Sequence, residues 1–163
     1  MNMKKSLLSI FIVIAAVLST SPTSAQSKLS LDDLFFIHKT TDTVEINNFI
    51  ESKGYKYFFS WGNSNGKFTS WDGKKIGGYD DLKIWRIVLL DQISIVYCIA
   101  SYDSYKELIT SARKNNYKHV GEELIKISPN EQALCDVFKN NEMIFYTHRH
   151  EYANHNEYEI VIK

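Results

Sequence analysis

Apolar positions along the chain recur at two different spacings, and the change between them separates predicted helices from predicted strands. Two runs at helical spacing follow Ser30 and Asp42, whose short polar side chains are typical of helix N-caps. A third run begins after Ser101 or Asp103 and places apolar side chains three and four residues apart from Tyr105 onward. The pattern therefore predicts three helices.

From Tyr55 onward the spacing falls to two, as expected of β-strands. Asn65-Gly66 and Asn140-Asn141 are typical of tight turns between strands. Residues 72–80 carry three glycines and no regular period, which predicts a loop. The strand-like runs are 55–61, 67–71, 82–90, 93–100, 117–127, 133–139, 143–150 and 157–162.

The two halves of the chain follow the same order of elements. One predicted helix ends in Gly54-Tyr55 and another in Asn116-Tyr117, and Gly and Asn tolerate the left-handed conformation that ends helices. Each helix end is followed by a group of predicted strands. We therefore predict an α+β domain, an antiparallel sheet with helices packed on one face, built from two α-β-meander repeats.

This arrangement resembles small, uncharacterised exported bacterial proteins with tandem helix/β-meander repeats. More distantly, it is similar to the β-lactamase inhibitory protein family. The resemblance covers residues 30–163 as an order of elements, and the matching residues are the pairs Gly54-Tyr55 and Asn116-Tyr117. It implies a fold, and only weakly a function. The two cysteines after residue 25 are fewer than that family's two within-repeat disulfides require.

The first 25 residues have the pattern of a secretory signal peptide. Lys4 and Lys5 precede an apolar run at 7–18, and a small, polar run ends at a cleavage point after Ala25. The apolar run is shorter than the ~20 residues that a membrane-spanning helix needs. We predict export to the periplasm or outside the cell, with one domain over residues 26–163.

The charge balance excludes two classes of partner. The chain has 19 basic and 19 acidic residues, and the predicted signal contains two lysines and no acidic residue, so the mature part carries a formal charge of about −2. A nucleic-acid-binding protein carries a clustered basic excess, and a module that binds anionic lipid carries a polybasic segment. We expect neither partner, and no membrane span in the mature form.

The two cysteines, Cys98 and Cys135, both lie in apolar, strand-like runs. Export permits a disulfide between them, and two buried free thiols that only fill space are the alternative. Neither cysteine has a histidine or asparagine arranged as for a nucleophile, and a zinc site needs more thiols or a tighter spacing. The cysteines therefore predict no catalysis.

Three of the five histidines fall within eight positions, namely His148, His150 and His155. On a strand, His148 and His150 point to the same face, and His155 would return across a turn as a third ligand beside Glu151 or Glu157. This cluster is a candidate metal site, with zinc as the ion. The alternative is a set of solvated side chains that protect an edge strand from aggregation.

Aromatic residues gather around the predicted loop at 72–80. Trp71 and Tyr79 are predicted to be exposed beside it. Trp61 shares its strand face with three other aromatic residues, which favours packing against the helices, and Trp85 lies within a predicted central hairpin. Exposed indoles stack on sugar rings or anchor protein partners, so Trp61, Trp71 and Tyr79 are the candidate partner-binding residues.

Together these patterns favour an exported, non-enzymatic binding module that recognises a protein partner, with an immunity- or inhibitor-like role, and that needs no cofactor. The sequence contains no glycine-rich phosphate loop or nucleophile elbow, and its paired carboxylates have no evident catalytic partner. Two alternatives remain open: a metal-binding protein or metal-dependent hydrolase that uses the histidine cluster, and a glycan-binding accessory domain.

Overall fold

The computed structural model describes most of the predicted domain. The signal peptide predicted at residues 1–25 lies outside the described part and stays a prediction, and Asn65 of the predicted turn also lies outside it. The described residues are 28–64, 66–73, 75–76, 79–80, 82–90, 92–128, 131–153 and 155–163.

The three predicted helices are confirmed, and they begin where the capping residues predict. The side chains of Ser30, Asp42 and Ser101 each accept a hydrogen bond from a backbone N–H in the first turn. Gly54 and Asn116 adopt positive φ angles of 89° and 63° beyond two of the helices, as predicted. Within the described ranges, no helix has the length and apolar character needed to cross a membrane. The helices are α1 (Leu31–Lys39), α2 (Thr43–Ser52) and α3 (Tyr102–Lys114).

The described strands are β1 (Lys56–Asn63), β2 (Gly66–Asp72), β3 (Lys75–Ile76), β4 (Tyr79–Asp80), β5 (Leu82–Leu89), β6 (Gln92–Ile99), β7 (Lys118–Ser128), β8 (Glu131–Lys139), β9 (Ile144–Glu151) and β10 (Asn156–Ile162). Eight of them form one antiparallel sheet in the order β1-β2-β5-β6-β10-β9-β8-β7. The last strands of the two halves, β6 and β10, pair at its centre. The remaining two strands, β3 and β4, form a short hairpin inside the stretch predicted to be a loop, so that prediction is wrong in part.

The predicted fold class is wrong in its balance of helix and sheet. The sequence predicted a helix-packed α+β domain, whereas the described residues are strongly sheet-dominated. The three helices contain only 9, 10 and 13 residues, against a sheet of eight strands. Capping motifs mark where a helix starts but not how many turns follow, and each helix here ends within about four turns.

The helices pack on one face of the sheet and form the larger core there. Leu34 and Ile37 of α1 and Ile46 of α2 are fully buried against central strand residues such as Ile95 and Ile160. Burial of a Leu or Ile side chain stabilises the fold by ~1.5–3 kcal/mol. This face is therefore closed to solvent over the middle of the sheet.

The opposite face holds a second buried cluster, which shows that the sheet is strongly curled. Val96 and Val161 of the central strands belong to it, together with Ile87 of β5 and Ile127 of β7. These last two strands are third and eighth in the sheet order, yet Ile87 and Ile127 line one cavity of about 80 Å³. The face away from the helices is therefore concave, and β7 closes back toward β5.

Candidate partner-binding site

A bulge in β1 decides which aromatic side chains reach solvent. The pairing register with β2 shifts between Tyr57 and Phe59, so Phe58 is an extra residue in β1. The extra residue reverses the alternation of faces, which places Phe59 and Trp61 on the concave face. The prediction that Trp61 packs against the helices is therefore wrong, and its side chain is 66% exposed.

Phe59 and Trp61 line an open groove on the concave face, which we call the aromatic groove. Its other apolar walls are Phe68 of β2 with Ile87 and Leu89 of β5, and its volume is about 430 Å³. Among the described residues that line the groove, a single lysine carries charge. The groove is thus suited to an apolar side chain rather than to a charged one.

Stacked rings connect the groove to the interior of the protein. The rings of Phe59 and Phe68 lie 5.5 Å apart at an angle of 26°, and Phe68 lies 6.0 Å from Trp85. Phe68 and Trp85 in turn pack against the second buried cluster. Each such aromatic pair contributes ~0.5–1.5 kcal/mol, so the inner wall of the groove is held in place before any partner binds.

Gly66 lets β2 begin close enough to β5 to form the groove floor. A Cβ at this position would lie 2.7 Å from Leu89 Cδ2 and 2.7 Å from the Val88 carbonyl oxygen. β1 and β2 form the predicted antiparallel hairpin, but Gly66 is the first residue of β2 and pairs with Asn63, so the prediction of Asn65-Gly66 as the two turn residues is wrong by one position. The close approach of β5 therefore requires glycine here, whereas the backbone conformation does not, because φ of Gly66 is not positive.

The other predicted aromatic residues lie apart from the groove opening. Trp71 is fully buried on the helix face, and its Nε1–H donates a 3.1 Å hydrogen bond to Asn47 Oδ1 of α2. The prediction that Trp71 is exposed is therefore wrong. Trp85 is half-buried at the inner end of the ring stack. Tyr79 lies in β4, and its part in recognition stays a prediction.

The predicted metal ligands do not converge on one point. The rings of His148 and His150 lie 4.6 Å apart on one face, as the strand pattern predicted. The ring of Tyr152 stacks on both His150 and His155, at 5.9 and 4.8 Å. The part of the chain that the structure describes contains no group of three or more His, Cys, Asp or Glu residues arranged to hold a metal ion.

The histidines also have partners within the sheet. The Nδ1–H of His148 donates to the Leu134 carbonyl oxygen at 3.1 Å, and His150 Nε2 lies 3.2 Å from Glu159 Oε2. Strand β9 lies between β8 and β10, but its pairing with β8 ends at Thr147, so the part of β9 that carries His148 and His150 pairs with β10. The three histidines are half-buried, and both zinc binding there and protection of an edge stay predictions.

Both cysteines are free, buried thiols in the concave-face cluster, so the disulfide considered from the sequence is not formed in the structure. Burial and the nearby carboxylate of Glu159 raise the pKa of Cys98 well above its usual range. The same two causes raise the pKa of Cys135 to about 11. Both sulfurs are protonated at neutral pH, and a thiol is a far weaker nucleophile than a thiolate.

No protein-family model, curated protein or solved structure matches this chain. The resemblance to the β-lactamase inhibitory protein family therefore stays a prediction. The groove and the exposed strand beside it are the features on which a functional proposal rests.

Sequence reasoning identified one groove residue, Trp61, and missed Phe59, Phe68 and Leu89. A signal for two of these was present, because aromatic residues occur on both sides of the Asn65-Gly66 turn. In a two-residue hairpin such positions face each other across the strands. Leu89 carried no such signal, because it reaches the groove only through the pairing of β5 with β2.

Proposed function

We propose that the chain is an exported, non-enzymatic binding module that recognises a protein partner through the aromatic groove. The exposure of Trp61 beside Phe59 is the observation that carries the proposal, since these side chains are 66% and 43% exposed. Large aromatic side chains exposed together on a rigid support are typical of interface hot spots. Isolated exposed apolar residues need no such explanation, but a contiguous patch does.

The composition of the groove favours a protein over a glycan. Five of its eight lining residues are apolar, and Asn63 and Lys67 are those with polar side chains. A sugar-binding site needs several convergent hydrogen-bonding groups around its stacking ring. An apolar or aromatic side chain from a protein fills such a groove without them, and an immunity- or inhibitor-like role would use a preformed surface of this kind.

Photo-crosslinking tests this proposal in the cells that produce the protein. Benzoylphenylalanine replaces Trp61 in one variant and Tyr102 in a control, because Tyr102 is 57% exposed but lies on α3. We expect a discrete adduct with a different protein at position 61, distinguished by mass spectrometry from a crosslinked pair of this chain and absent at position 102. Equal adducts at both positions, or none at 61, would contradict the proposal.

The identified partner then allows a quantitative test by calorimetry. Trp61→Ala should weaken its binding by at least about 2 kcal/mol, as expected of a hot-spot residue. Tyr102→Ala should leave the affinity nearly unchanged. Retained affinity in Trp61→Ala would mean that the groove is not the binding site.

A further inference from the structure

Strand β1 is an exposed edge of the eight-stranded sheet. It pairs with β2 on one side, and all eight of its residues are exposed. An edge strand directs backbone N–H and C=O groups outward, where another strand can pair with them. Proteins normally protect such an edge with charge, proline or a covering element.

The two edges of this sheet differ in that protection. The opposite edge, β7, carries four charged residues and a bulge between His119 and Gly121, and the φ of Gly121 is 138°. In β1, by contrast, Lys56 is the single charged residue, and it stands at the start of the strand. The bulge at Phe58 also lies near that end, so Phe59–Asn63 pairs with β2 without interruption. The charged edge disfavours pairing between β1 and β7 of different molecules.

We propose that β1 pairs antiparallel with β1 of a second copy of this chain, about a two-fold axis at Ser60. In this register Phe59 of each copy lies opposite Trp61 of the other, on the concave face, and such aromatic cross-strand pairs are favourable. The two Lys56 residues lie at opposite ends, about 26 Å apart along the strands. That separation exceeds the screening length of ~8 Å at physiological salt, so the like charges do not oppose pairing.

The exposed area indicates how strong this dimer is. Tyr57, Phe58, Phe59 and Trp61 are between 43% and 66% exposed. At ~200 Å² per aromatic side chain, these four residues expose ~400 Å² in each copy, so a dimer can bury ~800 Å² of aromatic surface in total. A stable interface buries ~1,200–2,000 Å², so the paired backbone has to supply the remainder. We therefore expect a weak dimer with a Kd on the order of micromolar.

The dimer goes beyond the proposed function, because it needs no other partner. The two-fold axis at Ser60 brings the two aromatic grooves side by side on one face of a joined sheet. Phe59 and Trp61 contribute to both the groove and the dimer interface, so a protein partner and a second copy compete for them. The dimer is tested by association of the purified chain and the partner by adducts to other proteins, so each proposal can fail without the other.

Disulfide trapping tests the predicted register with the chain expressed from all 163 residues. Directly opposed residues in antiparallel strands have Cα atoms ~4.5–5.5 Å apart, which suits a disulfide. Ser60→Cys should therefore form a covalent dimer on mild oxidation that dithiothreitol reverses. The control is Val120→Cys, which is 59% exposed but lies on the charged edge. The native thiols are buried and should not contribute.

Sedimentation equilibrium supplies the second measurement. The unmodified chain should show a monomer–dimer equilibrium, and Ser60→Lys should raise its Kd at least about fivefold, because it places two lysines opposite each other. Val120→Lys should leave the Kd unchanged. If Ser60→Lys fails to fold, the disulfide measurement decides alone.

The proposal is overturned if the unmodified chain is monomeric across the accessible concentrations, or if Ser60→Cys yields no more covalent dimer than Val120→Cys. If position 61 crosslinks to another protein and the purified chain is monomeric, the dimer proposal is contradicted and the proposed function is supported. A dimer without any adduct to another protein would support the dimer and contradict the proposed function.

Discussion

The two tryptophans at positions 61 and 71 should differ sharply in their contribution to stability. Trp71 is fully buried, whereas Trp61 is 66% exposed. At ~250 Å² per indole side chain and ~25 cal/mol per Å², complete burial is worth at most ~6 kcal/mol and one-third burial at most ~2 kcal/mol. Measured losses for a buried Trp→Ala substitution are ~3–5 kcal/mol. We therefore expect that loss for Trp71→Ala and about a third of it for Trp61→Ala.

Urea unfolding followed by far-ultraviolet circular dichroism measures both losses on one scale. A lower midpoint at an unchanged slope reports a true change in the free energy of unfolding. Trp71→Phe supplies a further control, since it keeps most of the ring volume and removes the hydrogen bond to Asn47. Equal losses for Trp61→Ala and Trp71→Ala would refute the assignment of one to the groove and the other to the core.

Three further predictions concern single sites. Gly66→Ala should lower the free energy of unfolding by ~1–3 kcal/mol in the same urea assay, because the added methyl group meets Leu89 at 2.7 Å. Cys98 should resist iodoacetamide at pH 8 in the folded chain, and mass spectrometry should show its alkylation in urea, because burial first and nearby carboxylates second raise the pKa of its thiol. Burial opposes ionisation of Asp33, but hydrogen bonds from Ser30 and Lys53 outweigh it and lower its pKa from 3.8. The ionised carboxylate therefore stabilises the fold above pH 3.8, and that stability is lost as the pH falls through the lowered pKa; Asp33→Asn should flatten this acid dependence in thermal melts.

The helix boundaries were predictable because their causes are local. Ser30 bonds to a backbone N–H three residues away, and Gly54 needs only its own freedom at positive φ. Each signal is contained in a few consecutive residues. The share of helix in the fold was not predictable in the same way, since the length of the strands depends on pairing between distant segments.

The candidate site was predictable only in part, because it depends on how one strand pairs with another. Alternation along β1 predicted one face for Tyr57, Phe59 and Trp61, and a single extra residue at Phe58 divides them between two faces. Sequence periodicity cannot locate a bulge, because a bulge arises where one of two paired strands has an extra residue. The burial of Trp71 likewise depends on Asn47, 24 residues earlier in the chain.

The curl of the sheet explains why the exposed aromatic residues of the concave face, Phe59 and Trp61, lie on β1. Ile127 of β7 approaches Ile87 of β5, so the strands from β5 to β7 enclose their own apolar side chains. The two strands beyond β5 in the sheet order are β2 and β1, and the groove on their concave face is lined by described residues of β1, β2 and β5. Phe59 and Trp61 are therefore exposed by their position in the strand order. At the other end of the sheet, β7 covers the apolar side chains of the concave face. A partner strand or a partner side chain would cover Phe59 and Trp61 in the same way.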